Sequence, residues 1–457
     1  MKAALLCDIV HRDFKSLALI SYYLEKDFDI TTHIIGINPN LVSEVKRLNV
    51  DVVCVPKLNF TPIYQLLFLL SGIRTAVIDV EGNIADEYVF KILAYPMAIF
   101  FWNKNNFRKY SDVLPSSTKK IVSGSQRLNF FHNALDQISD FESSYYYKKN
   151  LDKSFKVITV ATASQDIHLN KKEIENKIKA RSKVFKRGWN YSELIKYKRK
   201  LTEITKEIIL NLSNDKNCII LIRPHPRERY EINWIEFIKK INKKNVYLTR
   251  DEPIDLFLKN SSLHLCFKGC QTSVEATLLN IPVAEIHTPH SKEIDNANNR
   301  DSIHADYVSS YKELEKLQLM KVPNKNLDEK NLEIIQEKFG NINENINYNI
   351  AKELNELLIK TSKFDAFRLG IISLLKNSLY FIPRLIKFFF KLKSQIKDYS
   401  KMDLFDYANE KNDFVLIKKI FRYGRFKEQS EYNYIKEKYY KEFEKLNLKN
   451  ALLKEKL

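Results

Sequence analysis

Short apolar runs alternate with stretches of helical period from the first residues onward. Ala3–Cys7, Ile30–Ile35, Val52–Val55, Thr75–Ile78, Ala98–Phe101 and 120–123 predict strands. Lys15–Leu24, Leu41–Leu48, Tyr64–Leu70 and Glu87–Tyr95 carry the spacing of helices between them. Ala3–Cys7, Val52–Val55 and Ala98–Phe101 are apolar throughout, as parallel strands buried on both faces require. Strands alternating with helices predict a doubly wound parallel sheet over residues 1–150. Residues 137–155 and 170–200 are polar and helix-prone, and read as a linker followed by long helices.

The alternation then resumes. Val157–Val160, Cys218–Ile222, Val246–Leu248, Leu263–Phe267 and Val283–Ile286 predict strands, with helices over Asn233–Ile241, Ile254–Leu258 and Ser273–Leu279. A second sheet domain over 151–330 follows, and the rest, 331–457, predicts a helical extension. A chain of 457 residues exceeds one ordinary core, which agrees with that division.

One stretch of the extension stands apart. From Phe364 to Lys393, apolar Leu369, Ile371, Ile372, Leu374, Leu375, Leu379, Phe381 and Ile382 are interleaved with basic Arg368, Lys376, Arg384, Lys387, Lys391 and Lys393. No acid follows Asp365, and Pro383 interrupts the period. An apolar face beside a purely cationic one predicts a helix lying on an anionic membrane surface, against the alternative of a helix docked on the protein body. Lys and Arg number 75 against 56 Asp and Glu, a formal charge of +19, and the excess concentrates in the last hundred residues. Elsewhere it reads either as solvated lysine or as attraction to anionic partners. No nucleic-acid recognition motif accompanies the charge, so no nucleic acid is expected. The opening Met1–Asp8 reads as a first strand, no transmembrane helix is expected, and five scattered cysteines fit a reducing compartment.

Two motifs carry the chemistry. The strand Cys218–Ile222 runs into Arg223-Pro224-His225-Pro226, where the prolines stop the strand and brace one imidazole. The strand Leu263–Phe267 runs into Gly269-Cys270-Gln271-Thr272-Ser273-Val274-Glu275-Ala276, a glycine turn opening a helix. The carboxyl ends of such strands are where open α/β sheets bind ligands, and a helix tip with a nearby imidazole suits a phosphate. Arg223, His225, Gly269, Thr272 and Ser273 are therefore candidates for holding a donor phosphate, and Glu275 for a ribose hydroxyl. Asp79 and Glu81, before Gly82, are candidates for the base that glycosyl transfer needs, with His225 assisting at the leaving phosphate. Arg12 and Arg127 are candidates for an acidic sugar or acceptor, and His287 and His290 for the edge of the donor base. Each has a plainer reading as a cap, a strand-end hydrogen bond or surface charge.

These motifs, in order, resemble the bacterial surface carbohydrate biosynthesis proteins and, more distantly, the Kdo transferases of capsule and lipopolysaccharide assembly. The matching stretches are Asp8-Ile9-Val10-His11-Arg12-Asp13, Val77-Ile78-Asp79-Val80-Glu81-Gly82-Asn83, Phe101-Trp102-Asn103, Ile121-Val122-Ser123-Gly124-Ser125-Gln126-Arg127, the two motifs above, Leu279-Asn280-Ile281-Pro282-Val283 and Lys401-Met402-Asp403-Leu404. Asn280 stands where glycine is usual, and asparagine tolerates left-handed backbone angles. The resemblance implies a GT-B architecture, two Rossmann-like domains facing a cleft. It also implies an acidic catalytic turn at Asp79–Glu81, and phosphates met by protein donors without a metal.

The expectation is thus a metal-independent glycosyltransferase of surface polysaccharide assembly, with a nucleotide sugar as donor and a glycan or lipid-linked acceptor. A CMP-linked acidic sugar such as Kdo is the narrower expectation for the donor. The expected location is cytoplasmic, at the inner face of the cell membrane. A nucleotide-sugar epimerase on the same architecture and a non-catalytic assembly factor are the alternatives.

Overall fold

The computed structural model describes residues 1–37, 40–57, 62–80, 93–133, 155–181, 191–225, 228, 231–249, 254–289, 306–319, 329–386 and 429–454. The chain divides into two compact units. One comprises Met1–Gly82, Lys91–Phe130 and Gly340–Leu457, the other Asn83–Phe90 and Phe131–Phe339.

The first unit is a six-stranded parallel sheet of β1 (Lys2–Cys7), β2 (Thr31–Gly36), β3 (Val52–Val55), β4 (Arg74–Ile78), β5 (Ala98–Phe101) and β6 (Lys119–Val122). Their spatial order is β2-β1-β3-β4-β5-β6. The central strands β3, β4 and β5 are buried along their whole length, which is why β3 and β5 read as unbroken apolar runs. The predicted helix at Lys15–Leu24 is longer, Val10–Phe28, and Leu41–Leu48 matches its prediction. The predicted helix Glu87–Tyr95 falls largely outside the described residues, and Leu93–Tyr95 are not helical.

After Gly340 the chain returns to this same unit. Helix Ile346–Lys360 packs against Val10–Phe28, and Lys363–Lys376 packs against the uncharged helix Pro62–Leu70. Gly370 makes the second approach close, since a Cβ there would stand 3.0 Å from Leu69 Cβ and from the Leu70 amide nitrogen. The last helix, Gln429–Lys454, lies on Val10–Phe28 and β2. Its Lys436 Nζ donates to Glu25 Oε1 (2.7 Å) and to the Thr32 carbonyl (2.9 Å), and the Tyr440 hydroxyl stands 2.7 Å from Ser21 Oγ.

The second unit is a parallel sheet of β7 (Lys156–Ala161), β8 (Cys218–Arg223), β9 (Val246–Leu248), β10 (Leu263–Phe267), β11 (Val283–Ile286) and β12 (Asp306–Val308). The order β12-β11-β10-β7-β8-β9 is that of a Rossmann sheet, with β7 first and a reversal between β7 and β10. The long helix Tyr191–Leu212 supplies Leu201, Ile204, Ile208 and Leu212 to the core beneath it. Both units are therefore Rossmann-like α/β sheets, the pair of domains from which GT-B proteins are built.

Candidate functional site

In the second unit three neighbouring strands end in one row. Arg223 of β8 lies opposite Ala161 of β7, and Ala161 lies opposite Cys266 of β10. With strands about 4.8 Å apart, β8 and β10 flank β7 at roughly 10 Å from each other. The segments leaving this edge are Thr162–Ser164, Pro224–His225 and Lys268–Cys270. They surround the point where strand order reverses, which is where a crevice opens in such sheets.

Pro224 ends β8 as expected, and His225 follows it half-buried; Pro226 lies outside the described residues. What fixes the imidazole's loop is Glu228, buried and three residues on. Its Oε2 accepts from the Thr162 hydroxyl (2.8 Å), the Ser164 amide (3.1 Å) and the His225 amide (3.3 Å), and its Oε1 accepts from the Trp234 indole. One carboxylate thus ties the β7 and β8 loops together.

At β10, Gly269 takes φ +76°, a left-handed angle that a side chain disfavours. Cys270 is extended and the helix Gln271–Leu278 begins after it. Thr272 is half-buried, its Oγ1 standing 2.9 Å from His264 Nε2 and 3.1 Å from Cys270 Sγ. His264 is wholly buried within β10, and its Nδ1 lies 2.9 Å from Thr159 Oγ1. Burial pushes its pKa down to about 3, so the ring is neutral, with one nitrogen donating and the other accepting. Ser273 is fully buried, and its hydroxyl donates to the Cys270 carbonyl (2.8 Å), closing the turn. Glu275 is fully buried as well. Of the residues expected on this helix tip, Gly269 and Thr272 are thus half-buried, while Ser273 and Glu275 lie inside. Asn280 takes φ +56°, a left-handed angle that asparagine tolerates.

Further along the same edge, Lys268 Nζ lies 5.1 Å from the Tyr307 ring centroid, and His287 packs on Tyr307 and stands 3.4 Å from the Tyr197 hydroxyl. His290 lies outside the described residues.

In the first unit the reversal falls between β1 and β3. Asp8, just past β1, has Oδ2 3.1 Å from Lys57 Nζ, just past β3, and 3.5 Å from Arg12 Nη2. Arg12 also donates to both carboxylate oxygens of buried Asp13, which accepts the Ile9 amide as well (3.1 Å). The Arg12 guanidinium is therefore neutralised locally by two carboxylates. Asp79, past the end of β4, is buried, and its carbonyl accepts from the Trp102 indole (2.6 Å) and the Gln126 amide (3.3 Å). These bonds join the ends of β4, β5 and β6, so the turn at Gly124 and the half-buried Arg127 beside it belong to the same edge. Glu81, Gly82, Asn83 and the segment 401–404 lie outside the described residues.

Comparison with protein-family models and with curated protein sequences finds no match. Among solved structures the chain is similar to the UDP-GlcNAc 2-epimerase of Methanocaldococcus jannaschii in complex with UDP-GlcNAc and UDP, at 17% identity and TM-score 0.46, covering 78% of this chain and 100% of that one. It is similar to a putative UDP-N-acetylglucosamine 2-epimerase of Listeria monocytogenes at 12% identity and TM-score 0.48, over 79% and 98% of the two chains. A third neighbour is the wall teichoic acid polymerase TagF with CDPG, at 10% identity and TM-score 0.46, over 80% and 88%. Likeness of this size leaves the fold to rest on the strand order itself, and no Kdo transferase is among these three.

Glu228, His264, Lys57 and Lys268 were not singled out from the sequence. Two had a signal. His264 interrupts an otherwise apolar strand, and Glu228 follows the Pro-His-Pro turn closely. Lys57 and Lys268 look like any other lysine until the strands are ordered.

Proposed function

We propose that the protein is a glycosyltransferase that takes its sugar from a nucleotide donor held at the carboxyl edge of β7, β8 and β10. The observation that carries this reading is the gathering of the His225, Thr162–Ser164 and Gly269–Thr272 segments at the reversal point of that sheet, with Glu228 locking the first two. In this reading the amide groups of the turn, the Thr272 hydroxyl and the His225 ring meet the donor phosphate, and Arg223 adds positive charge. Donors fixed where charge develops on a leaving phosphate stabilise the transition state without reorganisation. Gly269 lets the backbone approach, and Ser273 and Glu275 serve from below by shaping the helix tip.

The first unit supplies the acceptor side in this proposal. Asp79 or Glu81 removes the proton of the acceptor hydroxyl, and Arg127 holds an acidic sugar or acceptor, while Arg12, engaged by Asp8 and Asp13, braces the loop after β1. The narrower donor is a CMP-linked acidic sugar such as Kdo. The phosphate is met by protein donors with no metal, so a chelator leaves turnover unchanged. The proposed setting is surface polysaccharide assembly on the cytoplasmic side.

The test follows nucleotide release from CMP-, UDP-, GDP- and CDP-sugars, with and without a glycan or lipid-linked acceptor. Release that needs acceptor, and that His225→Ala abolishes while the melting temperature stays, supports the proposal. An altered sugar nucleotide formed without acceptor assigns epimerisation instead. Unchanged turnover in His225→Ala removes the mechanism.

A further inference from the structure

The helix Lys363–Lys376 is apolar on two opposite sides. Its inner side, Ala366, Leu369, Gly370 and Ser373, is buried against Pro62–Leu70, and Ser373 Oγ accepts the Tyr95 amide (3.0 Å). Its outer side carries Phe364, 71% exposed, Phe367 and Leu375, 70% exposed, three and eight positions apart, spacings that keep them on one side of the helix. A second helix, Ser378–Ile386, continues after a bend of 100°. Its Phe381 is buried with Leu66, Leu93 and Ala94, and Asn377 at the bend donates to the Leu93 carbonyl (2.9 Å). Its outer side is again apolar, with Leu379 at 95% exposure and Ile382 and Ile386 beside it.

Neither arm needs an outward apolar face to dock. The inner contacts account for the attachment, and six large apolar side chains remain in water on a rigid, anchored bend. Such a patch marks an interaction surface. Its surroundings select the partner. Arg368, Lys376 and Arg384 are exposed around it, as is Lys363, whose Nζ lies 3.8 Å from Asp51 Oδ1, and no acidic residue occurs from Ala366 through Lys393. Lys387, Lys391 and Lys393 continue the charge outside the described residues. No single described helix is long and apolar enough to cross a membrane, and the 14 residues of the first arm fall short of the roughly 20 a span needs. Only the two arms together reach the length and apolar character of a span, and the 100° bend separates them.

We infer that this bent pair is a monotopic membrane foot. The outer stripe, Phe364, Phe367, Leu375, Leu379, Ile382 and Ile386, lies in the acyl boundary of an anionic bilayer, and the flanking cations meet the lipid phosphates. Apolar insertion combined with attraction to anionic lipid is how interfacial helices bind. The inference stands apart from the nucleotide site, and its test needs no turnover.

The full chain is floated with vesicles of phosphatidylcholine alone or mixed with phosphatidylglycerol. Wild type is expected to float with the anionic vesicles and at least about tenfold less with the neutral ones. Leu375→Glu/Leu379→Glu/Ile382→Glu changes only exposed positions, so it should keep the melting temperature and lose flotation. Arg368→Glu/Lys376→Glu should abolish the preference for anionic lipid, and it checks the same surface should the first variant unfold. Wild type that stays unbound, or variants that float as well as wild type, overturn the inference. So does a wild-type dimer in light scattering that Leu379→Glu converts to monomer, since the stripe is then a contact between two copies.

Discussion

The tightest chemical constraint in the second unit is a ring that does not titrate in the physiological range. His264 sits between Thr159 and Thr272, and burial holds it neutral with a pKa near 3. Unfolded histidine titrates near 6.5. Between those values the unfolded chain binds one more proton than the folded one, so stability rises with pH and is lost on acidification. The expected slope from this residue is roughly 1.4 kcal/mol per pH unit. Urea unfolding of wild type and His264→Gln across this acidic range should show the variant's slope reduced by that amount, and equal slopes would contradict a neutral buried imidazole. Glu228 gives a second residue-scale expectation. Glu228→Ala orphans the Ser164 amide and the Trp234 indole together, and should cost about 3 kcal/mol in the same unfolding measurement. A loss within about 0.5 kcal/mol, typical of surface changes, would refute its role as the joint between loops. Much at this scale was legible. Pro224 ending β8, the glycine turn at Gly269 and the left-handed angle at Asn280 all follow from backbone chemistry. That Ser273 and Glu275 point inward was not legible, because a sequence shows the helix start but not which side of it meets the sheet.

At the scale of elements, the strands were read most securely, since their apolar runs are what burial on both faces demands. The edge strands depart from this: β6 (Lys119–Val122) has no buried residue, and β12 has one. Asp306-Tyr307-Val308 is short and lies at a sheet edge, where only Val308 is buried, so no apolar run announces it. The last helix carried a signal of a different kind. Tyr432, Tyr439, Tyr440 and Phe443 recur at helical spacing and are all buried in the first unit. Lys436 lies among them. Although burial opposes ionisation of Glu25, hydrogen bonds from Lys436 and Thr32 bring its carboxyl below the ordinary value. With a folded-state value depressed, this contact stabilises above the unfolded pKa and is lost as pH falls through the folded one. Lys436→Met should therefore cost about 1–3 kcal/mol near neutral pH and progressively less on acidification. Hydrogen exchange should show the helix Gln429–Lys454 opening first, and unchanged protection would contradict its anchoring.

At the scale of the whole molecule, sequence order predicted three consecutive segments, whereas contacts group the chain from Gly340 onward with the N-terminal sheet. Helical period shows that a segment is amphipathic, but not which distant surface receives it. The strand orders of both sheets were also beyond the sequence, and they are what bring Lys57 beside Asp8 and make β7 the neighbour of both motif-bearing strands. In the proposed mechanism the β7–β8–β10 edge binds a nucleotide through Thr272 and His225. Isothermal titration of CMP, UDP, GDP and CDP into wild type, His225→Ala and Thr272→Val tests it most directly. One nucleotide should bind wild type and lose about tenfold in affinity, ~1.4 kcal/mol, in Thr272→Val, and at least as much in His225→Ala. Binding of that nucleotide with equal affinity to all three proteins, or of none of the four to wild type, would contradict it.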